Sequence, residues 1–201
     1  MKTLKIHLIR HGATDANVLG QYIGSKTDMP LSPEGLDELR LLKENMDYPE
    51  IEVLYSSPMI RCRQTGAVLY PDKETISVEN LKEYDFGSFE GKTATQLESN
   101  PDFIDWAAGK LASPPEGEDN SVFIQRLCIG LNQIVMDMLS KDKTEAGVIM
   151  HGGAIMMLLG ATAVPRHRPV EWTADPGRGY SLLITPSLYH KSGIVEVYDI
   201  I

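Results

Sequence analysis

Two short apolar runs in this 201-residue chain stop at the same dipeptide. Leu4 to Ile9 runs into Arg10, His11 and Gly12, and Val148 to Met150 runs into His151, Gly152 and Gly153. Short, continuously apolar runs read as buried strands. In open α/β sheets ligands gather beyond the carboxyl ends of the strands. If the two strands are neighbours, His11 and His151 face one pocket. The glycine after each histidine lets the backbone approach a ligand closely.

The rest of the chain alternates short apolar runs with helical patterns, as an α/β domain does. Ser32-Pro33 opens a helix by the cap-then-proline rule, with Leu36, Leu39, Leu42 and Met46 on its apolar face. Ile51–Tyr55 reads as a strand, and Ser57-Pro58 repeats the cap signal for a helix to about Leu69. Thr75–Val78 is a third strand. Thr93 and Gln96 form a capping box, and Asn100-Pro101 starts a further short helix through Trp106. Ser121–Ser140 is amphipathic, with Val122, Leu127, Leu131, Ile134, Val135 and Met138 near one face. A helix is expected over Ala154–Leu159, and two late strands over Tyr180–Ile184 and Ile194–Tyr198. Ser113–Asp119 reads as a loop, so residues 1–201 form a single domain.

Three global features narrow the setting. The formal charge of −9 argues against a nucleic-acid binder. Cys62 and Cys128 are too few for a disulfide framework, and the N-terminus shows no signal peptide, so a cytoplasmic protein is expected. Gly147–Val164 is uncharged and nearly long enough to span a membrane, but its glycines and His151 fit a strand, a turn and a helix better.

The phrase RHG at 10–12, with Thr14 and Asn17, resembles the signature of the histidine phosphatase superfamily, the group of phosphoglycerate mutases and related phosphatases. YSSPMIRCRQT (55–65), LKEYDFGSFEGKT (81–93) and MHGGAI (150–155) resemble further blocks of that family, in family order. The resemblance implies a three-layer α/β/α sandwich with a mostly parallel central sheet. It implies that His11 is the nucleophile, that Glu83 is the proton donor, and that Arg10, Arg61 and His151 hold the phosphoryl group. Asn17 and Gly152 add phosphate contacts, and Tyr22 and Trp106 are candidate walls of the substrate pocket. Many relatives have Glu after RHG, where this chain has Ala13.

The residue chemistry suits these roles. A neutral imidazole attacks an anionic ester without charge repulsion, and nearby guanidinium groups keep it neutral. Guanidinium forks bind the peripheral phosphoryl oxygens. A carboxylic acid supplies the leaving group's proton, and its conjugate base then activates water. The negative surface is no obstacle, because charges are screened beyond about 8 Å at physiological salt. No metal or cofactor is required.

The segment between Glu83 and His151 is short compared with the mutase branch, which favours hydrolysis. Gln21–Gly35 resembles small bacterial phosphatases, including α-ribazole phosphatases. The expected function is thus a metal-independent phosphomonoesterase working through phosphohistidine, with α-ribazole phosphate as one candidate substrate. The alternatives are a cofactor-dependent phosphoglycerate mutase and a non-catalytic phosphate-binding module. Expected partners are a small phosphorylated substrate and at most a second copy in a homodimer, with no nucleic acid and no membrane. His7, His167 and His190 match no motif and are assigned structural or surface places, as are Cys62, Arg63 and Arg126.

Overall fold

The computed structural model describes residues 3–201. In chain order the elements are β1 (Leu4–Arg10), α1 (Asp15–Val18), α2 (Pro33–Asn45), β2 (Val53–Ser56), α3 (Ile60–Leu69) and β3 (Thr75–Ser77). Next come α4 (Ala94–Leu97), α5 (Pro101–Ala107), α6 (Asn120–Ser140), β4 (Glu145–Met150) and α7 (Gly152–Thr162). The chain ends with β5 (Ala163–Val164), β6 (Gly179–Ile184), α8 (Pro186–Ser192) and β7 (Val195–Ile200). The strands form one sheet in the order β3-β2-β4-β1-β6-β7-β5. β3, β2, β4 and β1 are parallel, β6 runs against β1 and β7, and β5 is parallel to β7.

Strand alternation builds a core on each face of the sheet. Leu4, Ile6 and Leu8 of β1 and Val148 and Met150 of β4 pack with α6 and α7. Ile9, Leu54 and Ile149 point the other way, against Leu39 of α2 and Cys62 and Leu69 of α3. The expected three-layer sandwich with a mostly parallel sheet is therefore the observed one. β1 and β4 are adjacent and parallel, yet the helices of their two halves lie on opposite faces. Their carboxyl ends thus flank the crevice where doubly wound sheets bind ligands.

Several local expectations hold. Ser32 caps α2 with its hydroxyl on the Gly35 N–H, and Thr93 with Gln96 forms the capping box of α4. Asn100 caps α5, which begins at Pro101. The uncharged 147–164 segment divides into the end of β4, α7 and β5. Three details differ. Helix α3 starts at Ile60 with no side-chain cap, because the Ser57 hydroxyl is engaged elsewhere. Asp119 caps α6, and its core stripe includes Phe123, while Val122 is 50% exposed. One residue along a helix rotates a side chain by about 100°, enough to turn it from the core to solvent. By length and composition α6 could cross a membrane, but its apolar stripe is packed on the sheet.

Candidate active site

β1 ends at Arg10, and the chain turns through His11 and Gly12 toward Thr14, which caps α1. The turn is fixed from α3: the Gly12 N–H donates to Thr65 Oγ1 at 2.9 Å, and that hydroxyl donates to the Arg61 carbonyl at 2.8 Å. Thr65 therefore ties the strand end to the helix that carries Arg61. β4 ends at Met150, and His151 occupies the N-cap position of α7. Because β1 and β4 are in register to Arg10–Met150, the histidines that follow meet. Their ring centroids are 5.2 Å apart in an edge-on arrangement.

His11 is buried, and its Nδ1 donates to the Gly12 carbonyl at 2.7 Å. A carbonyl only accepts, so Nδ1 carries the proton and Nε2 keeps its lone pair. Burial first, then Arg61 and Arg10, push the His11 pKa down to about 3, overcoming the opposing pull of the Gly12 bond. The imidazole is thus a neutral base with a free nitrogen at neutral pH.

Arg61 is almost fully buried. Its Nε donates to His151 Nδ1 at 3.3 Å, Nη1 to the Thr27 carbonyl at 3.1 Å and Nη2 to the Gly24 carbonyl at 3.2 Å. Those bonds orient the guanidinium and leave further N–H donors on Nη1 and Nη2. As His151 Nδ1 accepts from Arg61, the His151 proton sits on Nε2, which donates to Ser57 Oγ at 2.8 Å. Arg61, which can only donate, sets the His151 tautomer, and Ser57, read in sequence as a helix cap, instead accepts the Nε2 proton. Burial, with His11 and Arg61 nearby, holds the His151 pKa well below the ordinary histidine value. His151 is therefore neutral before any anion arrives.

Arg10 reaches across the start of α7. Its Nη1 donates to the Ala174 carbonyl at 2.8 Å, while its Nε is buried with no partner among the described residues. A Cβ on Gly152 would lie 3.2 Å from that Nε and 3.3 Å from Cζ. Gly152 thus makes room for Arg10, a role in addition to any backbone contact with phosphate. A buried unpartnered cationic N–H is costly and fits an anionic ligand.

Glu83 joins from the other side. Its Oε1 accepts from the Tyr84 N–H at 2.9 Å and its Oε2 from the Gly153 N–H at 3.0 Å. Burial raises its pKa, against the lowering effect of those amides and of Arg61 and Arg10. Glu79, Asp85 and Glu90 are less buried, with Glu79 and Asp85 in ion pairs with Lys82 and Lys26, and Glu90 bonded to the Gly24 N–H. Burial separates Glu83 from neighbours that composition could not distinguish.

Arg126, placed by sequence reading in a structural or surface position, holds this carboxylate's backbone. Its guanidinium donates to the carbonyls of Asn80, Lys82 and Glu83 at 3.1, 2.6 and 2.9 Å and to both carboxylate oxygens of Glu118 at 2.6 and 2.8 Å. Asn17 lies in α1, and its Oδ1 is taken by the Thr14 N–H and hydroxyl in a capping box. Its amide nitrogen is the group left to meet a ligand. Tyr22 and Trp106 both line a cavity of about 310 Å³ that reaches Gly153. Cys62 is buried 3.6 Å from His151 Nε2, and burial pushes its thiol pKa up, so it is not a poised thiolate. His7 bonds Ser181 and Glu145 within the sheet, and His167 packs on Trp172. Among the described residues, no three His, Cys, Asp or Glu side chains converge as a metal ion needs.

The chain is similar to known proteins. The model of the histidine phosphatase superfamily (branch 1) matches residues 6–186. A broad-specificity phosphatase of Saccharomyces cerevisiae is 28% identical over 163 residues, 78% of this chain and 69% of its own. An adenosylcobalamin/alpha-ribazole phosphatase of Salmonella typhimurium is 24% identical over 161 residues, 78% of each chain. Among solved structures, a phosphoglycerate mutase from Bacillus anthracis superposes with a TM-score of 0.77 at 19% identity, covering 98% of this chain and 92% of that one.

Proposed function

Because the chain belongs to the histidine phosphatase superfamily, we propose that it hydrolyses small phosphate monoesters through a phosphohistidine formed on His11. The chain is a phosphatase by family and by its named relatives. The observation that carries the chemical route is the His11 ring itself, with Nδ1 held by the Gly12 carbonyl and Nε2 free.

In the first step Nε2 forms a bond to phosphorus as the ester P–O bond breaks. Arg10 and Arg61 bind the peripheral oxygens, where charge accumulates. Glu83, kept protonated more readily by burial, gives its proton to the departing alkoxide. In the second step the Glu83 carboxylate takes a proton from water, whose oxygen attacks phosphorus and releases the imidazole. His151 lies between Arg61 and Ser57, and an arriving phosphate dianion raises its pKa and recruits it as a further donor. Asn17 and Gly152 complete the phosphate contacts. This route uses the chain's own residues and assigns no metal or cofactor.

Within this class, α-ribazole phosphate is the specific candidate, supported by the Salmonella relative's name. The expected setting is the cytoplasm, in keeping with the unbonded Cys62 and Cys128. The test is steady-state release of phosphate from a panel of phosphomonoesters, α-ribazole phosphate included, by the wild type and His11→Ala. Turnover by the wild type alone is expected. Isomerisation of 3-phosphoglycerate without phosphate release would replace this reading by a mutase, and phosphate binding without turnover would replace it by a binding module.

A further inference from the structure

The cavity that reaches Gly153 has a composition unlike the phosphate cradle. Its walls are the rings of Tyr22, Tyr84, Phe86 and Trp106, closed by Phe123 and by the thioethers of Met156 and Met157. Tyr22 and Phe86 pack with centroids 5.1 Å apart, and Tyr84 and Trp106 lie nearly parallel at 6.1 Å. Among the described residues no charged side chain lines it, and Asn120 carries the single side-chain amide. At about 310 Å³ it is at the small end of ligand sites, room for one ring system.

The chamber and the acid share residues on two sides. Tyr84 gives its N–H to Glu83 Oε1 and its ring to the wall. Gly153 gives its N–H to Glu83 Oε2, and Met156 and Met157 continue the same α7 stripe one turn on. A Cβ at Gly153 would come within 2.8 Å of Glu83 Oε1, so only a bare backbone separates the carboxyl from the cavity. An ester oxygen placed to take the Glu83 proton therefore has its carbon skeleton against these rings.

We infer that the aromatic chamber beside Glu83 is the leaving-group subsite and that it selects an uncharged, flat ring system on the alcohol side of the ester. The inference rests on the phosphatase reading above and narrows it. Aromatic side chains and methionine sulfur favour a ring laid against them. A carboxylate or ammonium carried next to the ester, as in phosphoserine or 3-phosphoglycerate, would lose its hydration there with no partner to replace it.

The experiment compares two primary alkyl esters, so that leaving-group basicity is not the variable: 2-(1-naphthyl)ethyl phosphate and O-phospho-L-serine. A kcat/KM ratio of about 100-fold or more in favour of the naphthyl ester is expected. Trp106→Ala should lower kcat/KM for that ester about 10- to 100-fold, a larger factor than for ethyl phosphate. Met156→Lys, at a half-buried position, should shrink the ratio at least about tenfold by lending phosphoserine a cation, and it serves where Trp106→Ala does not fold. Equal rates, or a preference for phosphoserine, overturn the inference and leave the phosphatase reading intact. Hydrolysis of neither ester overturns the phosphatase reading. Binding of 2-(1-naphthyl)ethanol, followed by tryptophan fluorescence, then decides the chamber by itself: saturable quenching is expected, and its absence overturns the inference.

Discussion

Replacing His11 by Gln separates the neutral imidazole from every other contribution to the site. In the unfolded chain a histidine titrates near 6.5, while the folded environment holds His11 at about 3. On acidification the unfolded chain takes up a proton that the folded one refuses, so the stability from this group is present above 6.5 and is lost as pH falls. From pH 8 to pH 5 the loss amounts to about 2 kcal/mol, and it approaches about 4–5 kcal/mol near pH 3. Urea unfolding of wild type and His11→Gln at both pH values reads this directly. The wild type should lose about 2 kcal/mol more than the variant between pH 8 and pH 5. His7 titrates in both proteins and cancels in the difference, and His151 keeps burial, the largest cause of its depressed pKa, when His11 is replaced. Equal losses would show that His11 takes up its proton normally in the folded protein, and the reasoning from burial and two guanidinium groups would fail.

Arg61→Ala should lower kcat by about 10²–10³, because a fixed donor to developing charge is removed, and His151 loses the bond to its Nδ1. Glu83→Gln should cost about 10²–10⁴ in kcat/KM on alkyl esters and much less in kcat/KM on p-nitrophenyl phosphate, whose leaving group needs no proton, while kcat falls on both because the second step loses its base. In the wild type, kcat/KM for alkyl esters should fall on the alkaline side as Glu83 ionises, at a pH above the ordinary carboxyl value of 4.5, and the variant should lack that limb. Arg126→Met should destabilise the fold by about 3–5 kcal/mol in urea unfolding, since Glu118, 14% exposed, is left with an unpaired charge and three carbonyls lose their donor.

The halves of the site that sit on strand ends were legible in the sequence. An apolar run that stops at a histidine and a glycine carries its own geometry, and two such runs become one pocket once β1 and β4 pair. The partners that orient those side chains were not legible. Ser57 precedes a proline and reads as a cap, yet its hydroxyl goes to His151, because the chain leaving β2 passes beside β4 and the Ser57 N–H bonds the Ile149 carbonyl. Arg126 sits on a long helix where a charged residue is unremarkable; only the packing of α6 against residues 79–81 brings its fork to the carbonyls that precede the acid. Thr65 and Gly152 follow the same rule, since hydroxyl bridges and Cβ clearances depend on distances between elements rather than on spacing along the chain. The one-residue error at Val122 has a different origin: the apolar stripe of α6 is broad, and Phe123 fits its inner face better. The chamber walls come from five separate stretches of chain, so among their rings only Tyr22 and Trp106 suggested a pocket in advance.

Rapid-quench trapping of the phosphoenzyme is the most direct examination of the catalytic route. Wild-type enzyme mixed with a labelled phosphomonoester and quenched in base within one turnover should carry acid-labile, base-stable phosphate, mapped by peptide analysis to His11, and His11→Gln should carry none. Single-turnover release of phosphate with no label on His11 at any time, or label on another residue, would contradict it.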